Sequence, residues 1–286
     1  MSLLVSICIP TYNGATYLAE ALDSALAQSY PNLEIVVSDD ASTDGTLEIV
    51  ERYKTKTKIP IYIHLHQPKG IGANWNHCVK QANGKYIKFL FQDDVLEPHC
   101  IERMVALAEG SKNVGLVYCK RTIIYDVSKR FDGDWVRNFS TLHKSWHALT
   151  IKEGVLSGKV YLKDRNLLDH PSNKIGEPTA VLLNKSCFEK VGYFNTKLDQ
   201  ALDLEYWYRI MPHFNIGFVD DCLVKFRLHD TQASQINAKN KVNEVKRLSW
   251  VFFKTIFRFL HYRYQKGLLK DILYVRELRR FFKKKV

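Results

Sequence analysis

Several devices are missing from this 286-residue chain, and each absence closes off a class of protein. There is no C-x-x-C pair and no histidine at zinc-finger spacing, so the six cysteines, Cys8, Cys78, Cys100, Cys119, Cys187 and Cys222, make no metal knuckle. They read as reduced, mostly buried thiols. No apolar run approaches the roughly 18 residues needed to cross a bilayer. The opening MSLLVSICIP lacks a basic leader and a small-residue cleavage site. A cytoplasmic protein without a spanning helix is expected. Internal repeats and low-complexity tracts are also lacking, which argues against solenoids and disordered arrays. Nor is charge spread evenly. The net charge is +12, yet residues 239–286 alone hold 15 Lys+Arg against 3 Asp+Glu, which leaves a neutral body with 27 of each. A polyanion-binding surface over the whole protein is excluded, and no nucleic-acid partner is expected.

What is present is an ordinary globular composition, 46% apolar and 25% charged. It suffices for one large domain or two merged halves. Residues 3–9 form a continuous apolar run ended by Pro10, which reads as a buried parallel strand. Residues 15–29 carry apolar side chains at helical spacing, and residues 33–37 form a second strand that ends in SDDASTDGT. Thr43 or Asp44 can cap a helix through about residue 54. Residues 59–65 read as a third strand, 70–72 as a flexible glycine loop and 74–82 as a helix. Residues 86–91 are a fourth strand running straight into Gln92-Asp93-Asp94. Strands alternating with helices predict an α/β fold with a mostly parallel, Rossmann-like sheet. Ligands then bind at the carboxyl ends of its strands. Further on, a strand is expected at 116–126, loops and short helices shaping an acceptor cleft at 130–169, a strand at 179–183, and helices at 185–191 and 204–211.

Two acidic doublets at strand ends, Asp39-Asp40 and Asp93-Asp94, call for an explanation, because adjacent like charges repel. One explanation is a bound magnesium or manganese ion, which prefers carboxylate oxygens and keeps positions open for phosphate. The other is a pair of solvated turns. The segments Val5-Ser-Ile-Cys-Ile-Pro-Thr-Tyr-Asn13, Val36-Val-Ser-Asp-Asp-Ala-Ser-Thr-Asp-Gly-Thr46 and Gly84-Lys-Tyr-Ile-Lys-Phe-Leu-Phe-Gln-Asp-Asp-Val95 decide between them. In order and spacing they resemble family 2 glycosyltransferases of the GT-A fold. Gly176-Glu-Pro-Thr-Ala180, Val191-Gly-Tyr-Phe-Asn195, Asp203-Leu-Glu-Tyr-Trp-Tyr-Arg209 and Phe226-Arg-Leu-His229 extend the likeness to residues 4–234.

The resemblance implies an inverting transferase of the kind that builds bacterial surface polysaccharide. A nucleotide-sugar donor, UDP- or dTDP-linked, would be bound by Pro10, Thr11, Tyr12, Asp39, Asp40 and Asp93. Of the first doublet, Asp40 is the favoured acceptor for the base. Asp94 and His229 would hold a divalent magnesium or manganese ion. Asp203, just ahead of its helix, would be the general base that takes the acceptor's proton, with Glu205 assisting. Glu177 and Trp207 are acceptor-cleft candidates. Two departures stand out: Phe91 and Leu202 occupy positions where relatives often carry acids. They keep open an alternative, a non-catalytic membrane-associated partner that binds nucleotide-sugar without transferring it.

The expected organisation is a transferase domain over 1–238, divided into a nucleotide-sugar half (1–95) and an acceptor half (96–238), followed by a basic amphipathic helical tail (239–286). Val245, Leu248, Phe252, Ile256 and Phe259 share one helical face, and Leu268, Ile272, Val275, Leu278 and Phe282 share another. Basic helices with apolar faces suit an anionic membrane surface. A peripheral position on the inner face of the plasma membrane and a saccharide or lipid-linked saccharide acceptor are expected.

Overall fold

The computed structural model describes residues 2–126, 133–232, 236–237 and 243–283. Its strands are β1 (Val5–Thr11), β2 (Leu33–Asp39), β3 (Ile61–Leu65), β4 (Tyr86–Phe89), β5 (Val95–Leu96), β6 (Val114–Tyr125), β7 (Gly154–Ser157), β8 (Val181–Asn184) and β9 (Asn215–Leu228). They join in one sheet, ordered β3-β2-β1-β4-β8-β6-β9-β5, with β7 also on β9. From β3 to β4 all pairs are parallel. Beyond β4 the sheet is mixed: β8 runs antiparallel to both β4 and β6, whereas β6 and β9 are parallel.

The parallel half follows from its sequence. Every residue of β1 and β2 is buried, as expected for strands covered on both faces. One cover is α1 (Leu18–Leu26), which turns Leu18, Ala21, Leu22 and Ala25 inward. The others are α2 (Thr46–Lys54) and α3 (Ile71–Gln81). Pro10 does not end β1. Pairing with β4 stops at Cys8↔Phe89, so the proline lies where the strand has a partner on the β2 side only. Chain order reverses between β1 and β4, and the crevice at such a switch point is the natural ligand site of an open α/β sheet. Both acidic doublets lie there.

Three expectations are corrected. Residues 70–72 are not a flexible loop: Gly70, at φ 91°, starts α3, and Ile71 and Gly72 form its first turn. Residues 130–169 hold short helices as expected, α5 (Gly133–Ser140) and α6 (Gly158–Leu162), but also a strand, β7, that was not; residues 130–132 lie outside the described part. After α4 (Cys100–Glu109) and α7 (Ser186–Val191), the helix α8 spans Leu202–Ile210, so Asp203 is inside its first turn rather than ahead of it.

The tail forms α9 (Val245–Thr255) and α10 (Tyr262–Lys283). Phe252, Ile256, Leu260 and Leu268 are buried in the same core cluster as α8, Ile272 is buried as well, and Phe252 meets the Tyr208 ring at 6.0 Å. The apolar face of α9 therefore packs on the body. Val275, Leu278 and Phe282 have side chains outside the described part. Among the described residues no helix is long and apolar enough to cross a membrane.

Candidate active site

The first doublet divides its work. Asp39 is wholly buried. Its Oδ2 accepts from Thr11 Oγ1 at 2.7 Å and Ser42 Oγ at 2.6 Å, and its Oδ1 accepts from Ser42 N at 2.8 Å. It ties the end of β1 to the loop after β2. Asp40 is 7% exposed and bonds through Oδ1 to His66 Nδ1 at 2.5 Å. Among the described residues its Oδ2 accepts no hydrogen bond. Ala41, next in line, sits in the left-handed region at φ 60° without being glycine, a local strain of about 1 kcal/mol.

The loop after β1 is fastened on both sides. Asn13 N donates to Ser42 Oγ at 2.9 Å, and Asn13 Oδ1 accepts from Thr43 N at 2.8 Å. Asp44 accepts from Ala15 N and Thr46 N; the N-cap of α2 is Gly45, so the aspartate expected to cap it stands one residue ahead and ties its first turn to the loop after β1. Across the crevice Gln92 grips the Tyr12 backbone, accepting from its N at 2.9 Å and donating to its O at 3.1 Å. Gly14 makes room, since a Cβ there would lie 2.2 Å from Gln92 Oε1. Pro10 and Thr11 are buried and Thr11 gives its hydroxyl to Asp39, whereas Tyr12 is 57% exposed. Of these three expected donor residues, only Tyr12 presents a side chain to solvent.

The second doublet repeats the division in reverse order. Asp94 is 1% exposed. Thr179 Oγ1 donates to its Oδ2 at 2.6 Å and Arg227 N to its Oδ1 at 3.0 Å. Thr179 is itself held by the wholly buried Lys88, whose ammonium donates to the Thr179 carbonyl. Burial, then the Asp93 charge and the more distant Glu177, push the Asp94 carboxyl well above its usual range. Asp93 faces the crevice and meets His229 Nε2 through Oδ2 at 2.8 Å. The His229 ring is held from the other side by Thr231 and lies 5.2 Å from the Tyr17 ring. His229 thus meets Asp93, and not Asp94, with which the resemblance groups it. At the position lacking an acid, the Phe91 ring packs 5.1 Å from Trp75.

Asp203 is the third carboxylate of the crevice. Asn173 Nδ2 donates to its Oδ2 at 2.8 Å and Leu204 N to its Oδ1 at 2.7 Å. Burial, against those hydrogen bonds and with help from the Glu177 charge, raises its pKa to about 7. The Glu177 charge thus acts on both Asp94 and Asp203. It is no free cleft residue: Arg121 holds it with Nε at 2.6 Å from Oε2 and Nη2 at 2.9 Å from Oε1.

Two expected site residues turn out to belong to the framework. Trp207 is wholly buried, and its Nε1 donates to Gly176 O at 2.9 Å, so no ring face is open to a sugar. It anchors the loop before Glu177, where Gly176 needs its φ of 113°. Glu205 is 1% exposed and pairs with Arg209 at 2.7 and 3.0 Å, so it does not assist Asp203. Residues two apart on a helix point to nearly opposite sides. Sequence reasoning missed Asn173, Thr179, Gln92, Arg121 and His66. Of these only Thr179 and Gln92 stood inside segments already singled out, and neither has a chemistry of its own to advertise it.

A mixed sheet with a parallel nucleotide-type half, carboxylates grouped at its switch point and a further carboxylate on a facing helix define a glycosyltransferase of the GT-A fold. Its solved neighbours share that architecture. Staphylococcus aureus TarS in complex with UDP-GlcNAc superposes with a TM-score of 0.66 at 20% identity, over 95% of this chain and 72% of the other. The mannosyltransferase PcManGT of Pyrobaculum calidifontis, in complex with GDP-Man and Mn2+, gives 0.62 at 20% identity, over 95% and 69%. The family model for glycosyl transferase family 2 matches residues 6–192, and the chain belongs to that family. An uncharacterized glycosyltransferase of Rickettsia typhi is 29% identical over 88% of this chain and 72% of its own length. One of Rickettsia felis is 32% identical over 81% of this chain but only 35% of its own length.

Proposed function

We propose that this glycosyltransferase moves a sugar from a nucleoside-diphosphate donor to a hydroxyl of a saccharide or lipid-linked saccharide, by a single displacement that inverts the anomeric centre. The observation that carries this reading is Asp203, a carboxylate whose pKa of about 7 suits a general base near neutrality. Asn173 and the Leu204 amide hold it toward the crevice that Asp93 also faces. It takes the proton of the attacking hydroxyl, so no enzyme nucleophile is needed. Asp40, with an oxygen to spare, accepts the imide N–H of the base, and Tyr12 borders the nucleotide. A uridine or thymidine donor is favoured, and guanine offers the same imide edge.

Asp93 and His229 fit a divalent magnesium or manganese ion, as a carboxylate oxygen and an imidazole nitrogen that already converge at 2.8 Å. Among the described residues no group of three His, Cys, Asp or Glu forms a closed metal cage. Two protein ligands suit an ion that keeps its other positions for water and phosphate. When bound, such an ion supplies positive charge for the departing diphosphate. A screen of UDP-, dTDP- and GDP-sugars with and without Mn2+, followed by NMR of the product anomer, tests the reading. Retention of configuration, or no release of nucleotide from any donor, overturns it.

The outer face of α10 suits an anionic bilayer on the inner face of the plasma membrane, where a lipid-linked acceptor is met. Leu269 and Leu273 are 41% and 55% exposed there, and the exposed Lys266 and Lys270 lie beside them. Co-sedimentation with phosphatidylglycerol vesicles that survives a Leu269→Glu, Leu273→Glu double substitution would remove this part of the proposal.

A further inference from the structure

A layer of imidazoles lies behind Asp40 at the ends of β2 and β3. His66, one residue past β3, is pinned through its backbone by a 2.7 Å bond from its N–H to Asp39 O. Its ring lies 4.8 Å from that of His77 of α3, tilted by 31°. His77 is itself fixed, with Nδ1 2.8 Å from Ser38 Oγ and Nε2 3.3 Å from Gln81 Nε2. His64, on the same side of β3, meets the His77 ring edge-on at 6.2 Å. A metal does not explain the group: among the described residues these side chains do not assemble into a metal cluster. All the fixed geometry converges on one contact, His66 Nδ1 to Asp40 Oδ1. The Asp40 backbone is held as well, by a 2.9 Å bond from its N–H to Thr11 O.

A carboxylate turns freely about its last torsion when neither oxygen is bonded. With Oδ1 captured by a ring that cannot move, Oδ2 is left in one direction. Preorganisation of this kind lowers the ordering cost of a hydrogen bond made on binding. We propose that His66 is a positioning residue for nucleobase recognition, fixing Asp40 so that its second oxygen reads the imide N–H of the donor's base. This rests on the assignment of Asp40 to the base, and the test separates the two.

The test is calorimetric binding of UDP and GDP, each against its imide-methylated analogue, N3-methyl-UDP and N1-methyl-GDP, to the wild-type chain, His66→Ala and His66→Asn. The wild type should bind at least one parent nucleotide roughly tenfold more tightly than its methylated form. In His66→Ala that ratio should collapse toward unity through weaker binding of the parent, with the methylated nucleotide unchanged. His66→Asn, which keeps a donor near the Nδ1 position, should recover part of the ratio. If His66→Ala weakens parent and methylated forms equally, the histidine is merely structural and the proposal fails. If the wild type does not discriminate against either methylated form, the assignment of Asp40 to the base fails first.

Discussion

The crevice has two acidic edges, one at the end of β2 and one after β4, and they are built on the same plan with opposite order. At the first, Asp39 is buried under three hydrogen bonds from its own loops while Asp40 keeps an oxygen open and leans on His66. At the second, Asp94 is the buried member, bonded to Thr179 and the Arg227 amide, while Asp93 leans on His229. Helix α8 carries a third version, with Glu205 locked to Arg209 and Asp203 turned to the crevice. In each pair one carboxylate is locked into the framework, and the proposed function falls on its neighbour. A doublet in such a sequence therefore marks a site without saying which member serves it.

The comparison can be broken most sharply on α8. Asp203→Asn should lower turnover by about 10²–10⁴-fold, the usual share of a general base, with nucleotide affinity per folded molecule unchanged. Glu205→Gln should do the opposite. It costs about 3 kcal/mol as a severed buried ion pair, measured by urea denaturation, with activity per folded molecule retained.

The pH profile is the next largest effect. The proposed base, Asp203, would act as the carboxylate, and its pKa is raised to about 7. The ionisable groups whose charges interact with it are Glu177 and Tyr208. Activity should therefore be present above about pH 7 and fall as pH drops through it; a profile flat from pH 6 to 8 would remove Asp203 as the titrating base. At the first edge, Asp39→Asn places an amide against hydroxyl and N–H donors and should cost about 1–3 kcal/mol of stability, whereas Asp40→Asn should leave stability unchanged and weaken nucleotide binding. The smallest effect belongs to Ala41→Gly, which should raise unfolding free energy by about 1 kcal/mol by relieving the left-handed φ.

The donor half was legible because its signals are local. Buried strands β1, β2 and β4 are apolar runs of a few residues, and each ends directly in the loop that carries chemistry. The mixed half of the sheet and the segments around it were less so. The 14-residue β9 escaped notice because the register jumps between Cys119↔Val219 and Lys120↔Cys222, leaving Asp220 and Asp221 as an unpaired bulge that breaks the strand pattern. Trp207 lies in a helix buried nearly all round, where periodicity does not tell core from cleft. Asn173 reaches Asp203 from 30 residues away, through a loop that no period describes. The apolar stripes of the tail were visible, but a stripe does not reveal whether membrane or protein covers it; for α9 it is the core around α8.

The most direct test of the division of labour compares Asp93→Asn with Asp94→Asn in the Mn2+ dependence of nucleotide release, at equal folded protein. Asp93→Asn should raise the Mn2+ concentration for half-maximal release by roughly tenfold or more, while Asp94→Asn leaves it near the wild-type value and lowers the melting temperature instead. The reverse outcome, with Asp94→Asn alone shifting the metal requirement, would contradict the account.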